Sequence, residues 1–90
     1  MKIKVMYFTF IRERIGKREE IFEIEEKVDV LDFIEKYVIR KHPEISEYLI
    51  NEKGRINERF AIFRNGRASK IEEVLEDGDT ISILPPVGGG

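Results

Sequence analysis

The chain has 90 residues, 41% of them hydrophobic and 38% charged, with a formal net charge of −2. That length suits one domain with a small core under a charged shell, and the hydrophobic content excludes a low-hydrophobicity disordered chain. The charge balance offers no basic excess for nucleic-acid backbones. The absence of cysteine removes disulfides, thiolate catalysis and cysteine-type zinc sites and fits a cytoplasmic protein.

The N-terminal stretch KIKVMYFTF alternates, with Ile3, Val5 and Tyr7 on one face and Lys2, Lys4, Met6 and Phe8 on the other. It predicts a strand over Lys2 to Phe10. It lacks a small-residue cleavage site, so it is not read as a signal peptide. No apolar run approaches the length of a membrane span. Gly16 supplies a turn, and EEIFEIEE predicts a second strand, antiparallel to the first, closing a hairpin.

From Asp29 the period changes. Val30, Leu31, Ile34, Tyr37 and Val38 share one helical face. Asp29 is placed to cap the helix, with Asp32 in its first turn. Arg40, Lys41 and His42 fall in the last turn, and Pro43 stops the helix and can open a second, short one. The segment NEKGRINER reads as a loop around Gly54. Asn65-Gly66, between FAIF and RASK, predicts a hairpin turn. A turn or single helical turn near Ile71 to Leu75 and the turn Asp77-Gly78-Asp79 lead to a last strand, Thr80 to Leu84, ended by Pro85.

This order predicts an α+β fold, a β-grasp roll whose mixed sheet is covered by one main helix. The first and last strands are expected to pair in parallel at its centre. The expected division is a domain over 1–87 and a flexible glycine tail over 88–90.

Conventional catalytic groups are hard to find. His42 has no evident triad partner and reads as a helix-end charge. Ser46, Ser69 and Ser82 lack a nucleophile elbow. The carboxylates alternate with Lys and Arg and read as solvated faces. EDGD lacks the spaced ligands of a calcium loop, and VGGG is followed by neither the Lys nor the helix of a phosphate loop. No metal site and no bound cofactor are expected, and the chain is not expected to be an enzyme by itself.

The ILPPVGGG ending is left over. One reading is a passive end. In the other, the Gly90 carboxylate is the reactive group, and side-chain-free residues let it thread a narrow channel in a partner. The prolines then limit the conformations of the tail's base. Phe8 and Leu84 also have two readings: ordinary core, or a docking patch on the sheet face that the helix leaves uncovered.

DGDTISILPPVGGG resembles the C-terminal signature of the MoaD/ThiS family of ubiquitin-like sulfur carriers, on its MoaD side, whose members are small subunits of molybdopterin synthase. The matching residues are Asp77, Gly78, Asp79, Pro85, Pro86, Val87, Gly89 and Gly90. VMYFTFIRERIG resembles the family's first strand through Phe8, Arg12, Glu13 and Gly16, and Asn65-Gly66 matches its hairpin. The resemblance implies that an ATP-using, ubiquitin-activating-type enzyme adenylates Gly90, with Gly89 beside it. A sulfur donor then makes the thiocarboxylate, and the tail delivers sulfur to a pterin precursor in the large synthase subunit, towards a molybdenum or tungsten cofactor. Phe8, Leu84, Pro85, Pro86, Val87 and Gly88 are the implied partner contacts. A protein modifier joined through Gly90 to lysines, and a thiamin-pathway sulfur carrier, stay open beside this. The chain departs from the pattern in a long charged segment over 42–59, in Ala68 where a larger apolar residue is usual, and in a third glycine.

Overall fold

Residues 1–86, which the computed structural model describes, form a five-stranded mixed sheet in the order β2-β1-β5-β3-β4. Its strands are β1 (Lys2–Tyr7), β2 (Glu19–Glu23), β3 (Ala61–Arg64), β4 (Arg67–Ala68) and β5 (Thr80–Leu84). The two-residue period of β1 decides its orientation. Ile3, Val5 and Tyr7 are fully buried, while Lys2, Lys4 and Met6 are not. β1 and β5 run parallel, with Val5 beside Ile81 and Tyr7 beside Ile83. β1–β2, β3–β5 and β3–β4 are antiparallel.

One face of the sheet carries the helices. α2 begins at Val30–Phe33 and continues as a wider, π-helical stretch over Ile34–Ile39. The Asp29 side chain caps it, accepting from the Asp32 N–H at 2.8 Å. Val30, Phe33, Ile34 and Val38 are fully buried against the sheet's Ile3, Val5, Ile81 and Ile83 face. Pro43 opens a 3-10 turn, Pro43–Ile45, which runs into α3, Ser46–Leu49, and adds Ile45 and Leu49 to the core. The 42–59 segment is tied down by an isolated bridge between Ile50 and Ile56. The Asn51 side chain also accepts from the N–H groups of Lys53 and Arg55 at 2.9 and 3.1 Å.

The structure corrects the expected first hairpin. β1 stops at Tyr7, not Phe10, and α1, Thr9–Ile15, replaces a tight turn. Two periods compete across FTFIRERI, and the helical one wins because it buries Ile11 completely and Ile15, one turn on, partly. The switch is made at Thr9, whose φ of 47° is left-handed and is an outlier for a β-branched residue. Gly16, at φ 83°, closes α1 with its N–H on the Arg12 carbonyl. The other turns follow the sequence. Asn65 and Gly66 have φ of 51° and 82°, as a two-residue hairpin turn requires.

Candidate carrier tail and docking face

β5 precedes the C-terminal glycines in the sequence, and β5 is held in place by the D-G-D turn. The Asp77 carboxylate accepts from the Lys2 N–H at 2.8 Å. The Gly78 N–H donates to the Lys2 carbonyl, and the Lys4 N–H to the Asp79 carbonyl. Asp79 is buried, and its carboxylate accepts from Asn65 Nδ2 at 2.9 Å, Arg64 Nε at 2.9 Å and the Glu76 N–H at 2.8 Å. Burial resists its ionisation, but the hydrogen bonds from Asn65, Glu76 and Arg64 outweigh burial and hold its pKa below the usual carboxylate range. Asn65 completes the lock, exchanging hydrogen bonds with Thr80 through its side-chain oxygen and its own N–H, both at 2.8 Å. These signature residues therefore fix where β5 starts and how it registers on β1.

From that anchor, period-two alternation sends Ile81 and Ile83 into the core and Thr80, Ser82 and Leu84 to the face without helices. Strand register places Met6, Ser82, Phe63 and Ala68 in one row across this open face, and Leu84 beside Ala61 in the next. Phe8 extends β1 by one residue, with φ −130° and ψ 153°, which brings it level with Leu84. Both are half-buried. Neither is among the core residues, so the structure places Phe8 and Leu84 together on the open face. The Arg12 guanidinium lies over the Phe8 ring, 5.5 Å from its centre, while its Nε donates to the Tyr7 carbonyl at 3.1 Å. Pro85 is buried within the chain itself and Pro86 is half-buried. Val87, Gly88, Gly89 and Gly90 lie outside the described residues.

Two carboxylates depart from the expected solvated faces. One is Asp79. The other is Glu20, buried on β2, where it accepts from the Tyr7 hydroxyl and pairs with His42. Lys17 and Lys41 lie 3.3 and 3.0 Å from its second oxygen. Burial would raise the Glu20 pKa, but hydrogen bonds from Tyr7, Lys41 and His42 outweigh it and hold it at about 2. Burial, reinforced by Glu20, pushes the Tyr7 hydroxyl far up. His42, expected as a helix-end charge, is thus a buried carboxylate partner that ties the end of the helical segment to β2. Among the described residues no group of three or more His, Asp or Glu is placed to hold a metal ion. No described helix is long and apolar enough to cross a membrane.

A 2-1-5-3-4 sheet with a parallel central pair, helices on one face and the other face open is a β-grasp domain of the ubiquitin-like kind. Its backbone superimposes on that of SAMP1 from Haloferax volcanii with a TM-score of 0.92, covering 100% of both chains at 23% identity. The ThiS family profile matches residues 5–90, and the chain belongs to that family. It is 30% identical, over 100% of both chains, to the molybdopterin synthase sulfur carrier subunit of Chlamydomonas reinhardtii. It is also similar to the small archaeal modifier protein 1 of Methanosarcina acetivorans, at 32% identity and a TM-score of 0.80, covering 99% of this chain and 96% of that one.

Proposed function

We propose that this chain is the sulfur-carrying small subunit of a molybdopterin synthase and acts through the α-carboxylate of Gly90. The observation that carries the reading is the 30% identity, over the whole of both chains, with a relative of that name. The carboxylate is a poor electrophile. Attack of its oxygen on the α-phosphorus of ATP, in an activating enzyme, releases pyrophosphate and leaves an acyl-adenylate. Sulfur at the sulfide level then displaces AMP to leave the thiocarboxylate, whose sulfur attacks a pterin precursor in the large subunit, and water cleaves the acyl–sulfur bond, leaving sulfur on the pterin and restoring the Gly90 carboxylate. The chain supplies reach and docking, and no side chain of its own acts as acid or base. Phe8 and Leu84 on the open face, with Pro86 at the tail's base, form the surface that both partners grip, and Val87 and Gly88 carry the carboxylate onward. ATP belongs to the activating partner.

A second reading, a protein modifier conjugated to lysines through Gly90, is favoured by the likeness to the Methanosarcina modifier. Intact-mass spectrometry after incubation with the activating enzyme, ATP and a sulfur donor tests the first. The native chain should gain the mass difference of one oxygen-to-sulfur exchange. A chain lacking Gly90 reaches about 3.3–3.6 Å less far, and since a misplacement of about 1 Å costs on the order of 100-fold, it should gain nothing. Equal conversion of both chains removes Gly90 from the site. Gly90-dependent ladders of isopeptide-linked protein, with no thiocarboxylate, favour the modifier.

A further inference from the structure

β2 is one edge of the sheet, and its outer side offers backbone groups to a partner. In the β1–β2 ladder the Tyr7 N–H donates to the Arg18 carbonyl at 2.9 Å and the Ile24 N–H to the Met1 carbonyl at 2.8 Å. With Val5 opposite Glu20 and Ile3 opposite Phe22, antiparallel alternation turns the backbone of the even-numbered β2 residues towards β1. Glu19, Ile21 and Glu23 therefore aim their N–H and C=O groups outwards, and no described residue hydrogen-bonds those groups. Their side chains are exposed on the open face, and Ile21, at 53% exposure, is the most exposed large hydrophobic residue among those described.

An open edge of this kind templates another strand. Its charges select which one. A second copy of this chain pairing in register across the edge, Ile21 beside Ile21, sets glutamate against glutamate in either strand direction, and like charges directly opposite are destabilising. Lys4 reaches Glu19 at 3.3 Å and Lys2 lies opposite Glu23 on β1, but Glu19 keeps half of its side chain exposed, and Glu23, Glu25 and Glu26 are exposed as well. On the helix side of β2, Lys17 and Lys41 stay half exposed around Glu20, and Lys41 Nζ lies 5.3 Å from the centre of the Phe22 ring. A cation facing that side meets like charge.

We propose that the β2 edge is a second docking site, taking as a sixth strand an extended segment of a basic partner protein. The side chains of that segment over the open face run cation, apolar, cation, against Glu19, Ile21 and Glu23. Those between them are uncharged. The edge lies two strand spacings, about 10 Å, from β5, so it is a separate surface from the tail's base and does not depend on what the tail carries.

The probe is the capped peptide Lys-Thr-Val-Thr-Lys, titrated into the full chain and followed by amide NMR and hydrogen exchange. Saturating peptide should slow exchange of the Glu19, Ile21 and Glu23 amides about tenfold or more and leave Glu20 and Phe22, already paired with β1, unchanged. Ile21→Pro removes an outward donor while sparing the β1 ladder, the one position type where an edge strand tolerates proline, and should abolish binding. Glu23→Lys should weaken it about tenfold, the equivalent of about 1.4 kcal/mol. The proposal is overturned by no binding at millimolar peptide, or by equal binding of Glu-Thr-Val-Thr-Glu. It is also overturned by unchanged affinity in the Ile21→Pro variant, or by protection at Phe63 and Leu84 in place of the edge. If the proline variant misfolds, Glu23→Lys and the exchange pattern of the native chain decide the matter.

Discussion

Replacing Asp79 by Ala removes the acceptor of three hydrogen bonds at once: those from Asn65 Nδ2, Arg64 Nε and the Glu76 N–H. Hydrogen bonds to a charged group contribute about 1.5–3 kcal/mol each, and breaking a buried ion pair costs about 3–5 kcal/mol because one charge is left alone. Here Arg64 is not left alone. Its guanidinium keeps Glu73 at 3.2 Å and Glu76 at 3.9 Å. The expected cost therefore sits at the low end, about 3 kcal/mol, from a total of about 5–13 kcal/mol for a domain of this size. Urea unfolding at neutral pH should show a lower midpoint with an unchanged slope. The pH dependence has a definite sign. The Asp79 pKa is depressed on folding, so its contribution is complete above the unfolded value, about 3.9, and is lost as pH falls through the folded one. The native protein should therefore lose more stability on acidification than the Asp79→Ala variant. A cost below about 0.5 kcal/mol, or an equal cost from Asp77→Ala at the exposed end of the turn, would refute the account of the D-G-D turn as a buried anchor.

Glu20→Gln should destabilise by on the order of 3 kcal/mol, from the lowering of its pKa, against burial, to about 2 by Tyr7, Lys41 and His42. That loss should be seen fully above about pH 4.5 and fade as pH falls towards 2, as measured by urea midpoints across pH. Thr9→Gly should be neutral or stabilising by up to about 1 kcal/mol, since relief of a left-handed backbone is worth about 1–2 kcal/mol and glycine gives back part of it in chain entropy. A thermal midpoint lowered by Thr9→Gly contradicts the strain. Leu84→Asp should leave the fold intact, because Leu84 lies on the open face. It should weaken large-subunit binding by about 3–5 kcal/mol by calorimetry, the cost of an unpaired charge buried in an interface. Unfolding would return Leu84 to the core.

Much of the fold is legible because local periods and caps coincide with tertiary demands. Ile3, Val5 and Tyr7 alternate and are buried. Asp29 caps the helix it precedes. Asn65-Gly66 turns where two positive φ values are needed. Phe8–Ile15 misleads because aromatic residues two apart and isoleucines four apart satisfy both periods, and the choice rests on a tertiary contact, the burial of Ile11. Glu20 and Asp79 are hidden for a different reason. Most of their partners are distant in sequence: Tyr7 and His42 lie 13 and 22 residues from Glu20, and Arg64 lies 15 residues from Asp79. A buried carboxylate in a charged sequence looks solvated until those partners are brought together. Phe8 and Leu84 can be placed because the two-residue period distinguishes the faces of a strand.

The signature that identifies the chain mixes two kinds of residue. Asp77, Gly78 and Asp79 are held by Lys2, Lys4, Arg64, Asn65 and Glu76, all within the chain, so the requirement for them is met by folding. Phe8 and Leu84 lie half-buried on a face that the helices do not cover, Phe8 under the Arg12 guanidinium, and the proposed docking role would add a partner to these contacts. Parallel pairing of β1 and β5 joins the two kinds. It places Phe8 at the end of β1 and Leu84 at the end of β5 on the same face and at the same end of the sheet, as the proposed docking of one partner surface on both requires. Reaction geometry at a tail tip is only as good as the placement of its base. A slip of β5 by one residue would turn Leu84 into the core and Ile83 out. The buried Asp79 anchor opposes that slip and in this way fixes which face of the sheet Leu84 takes.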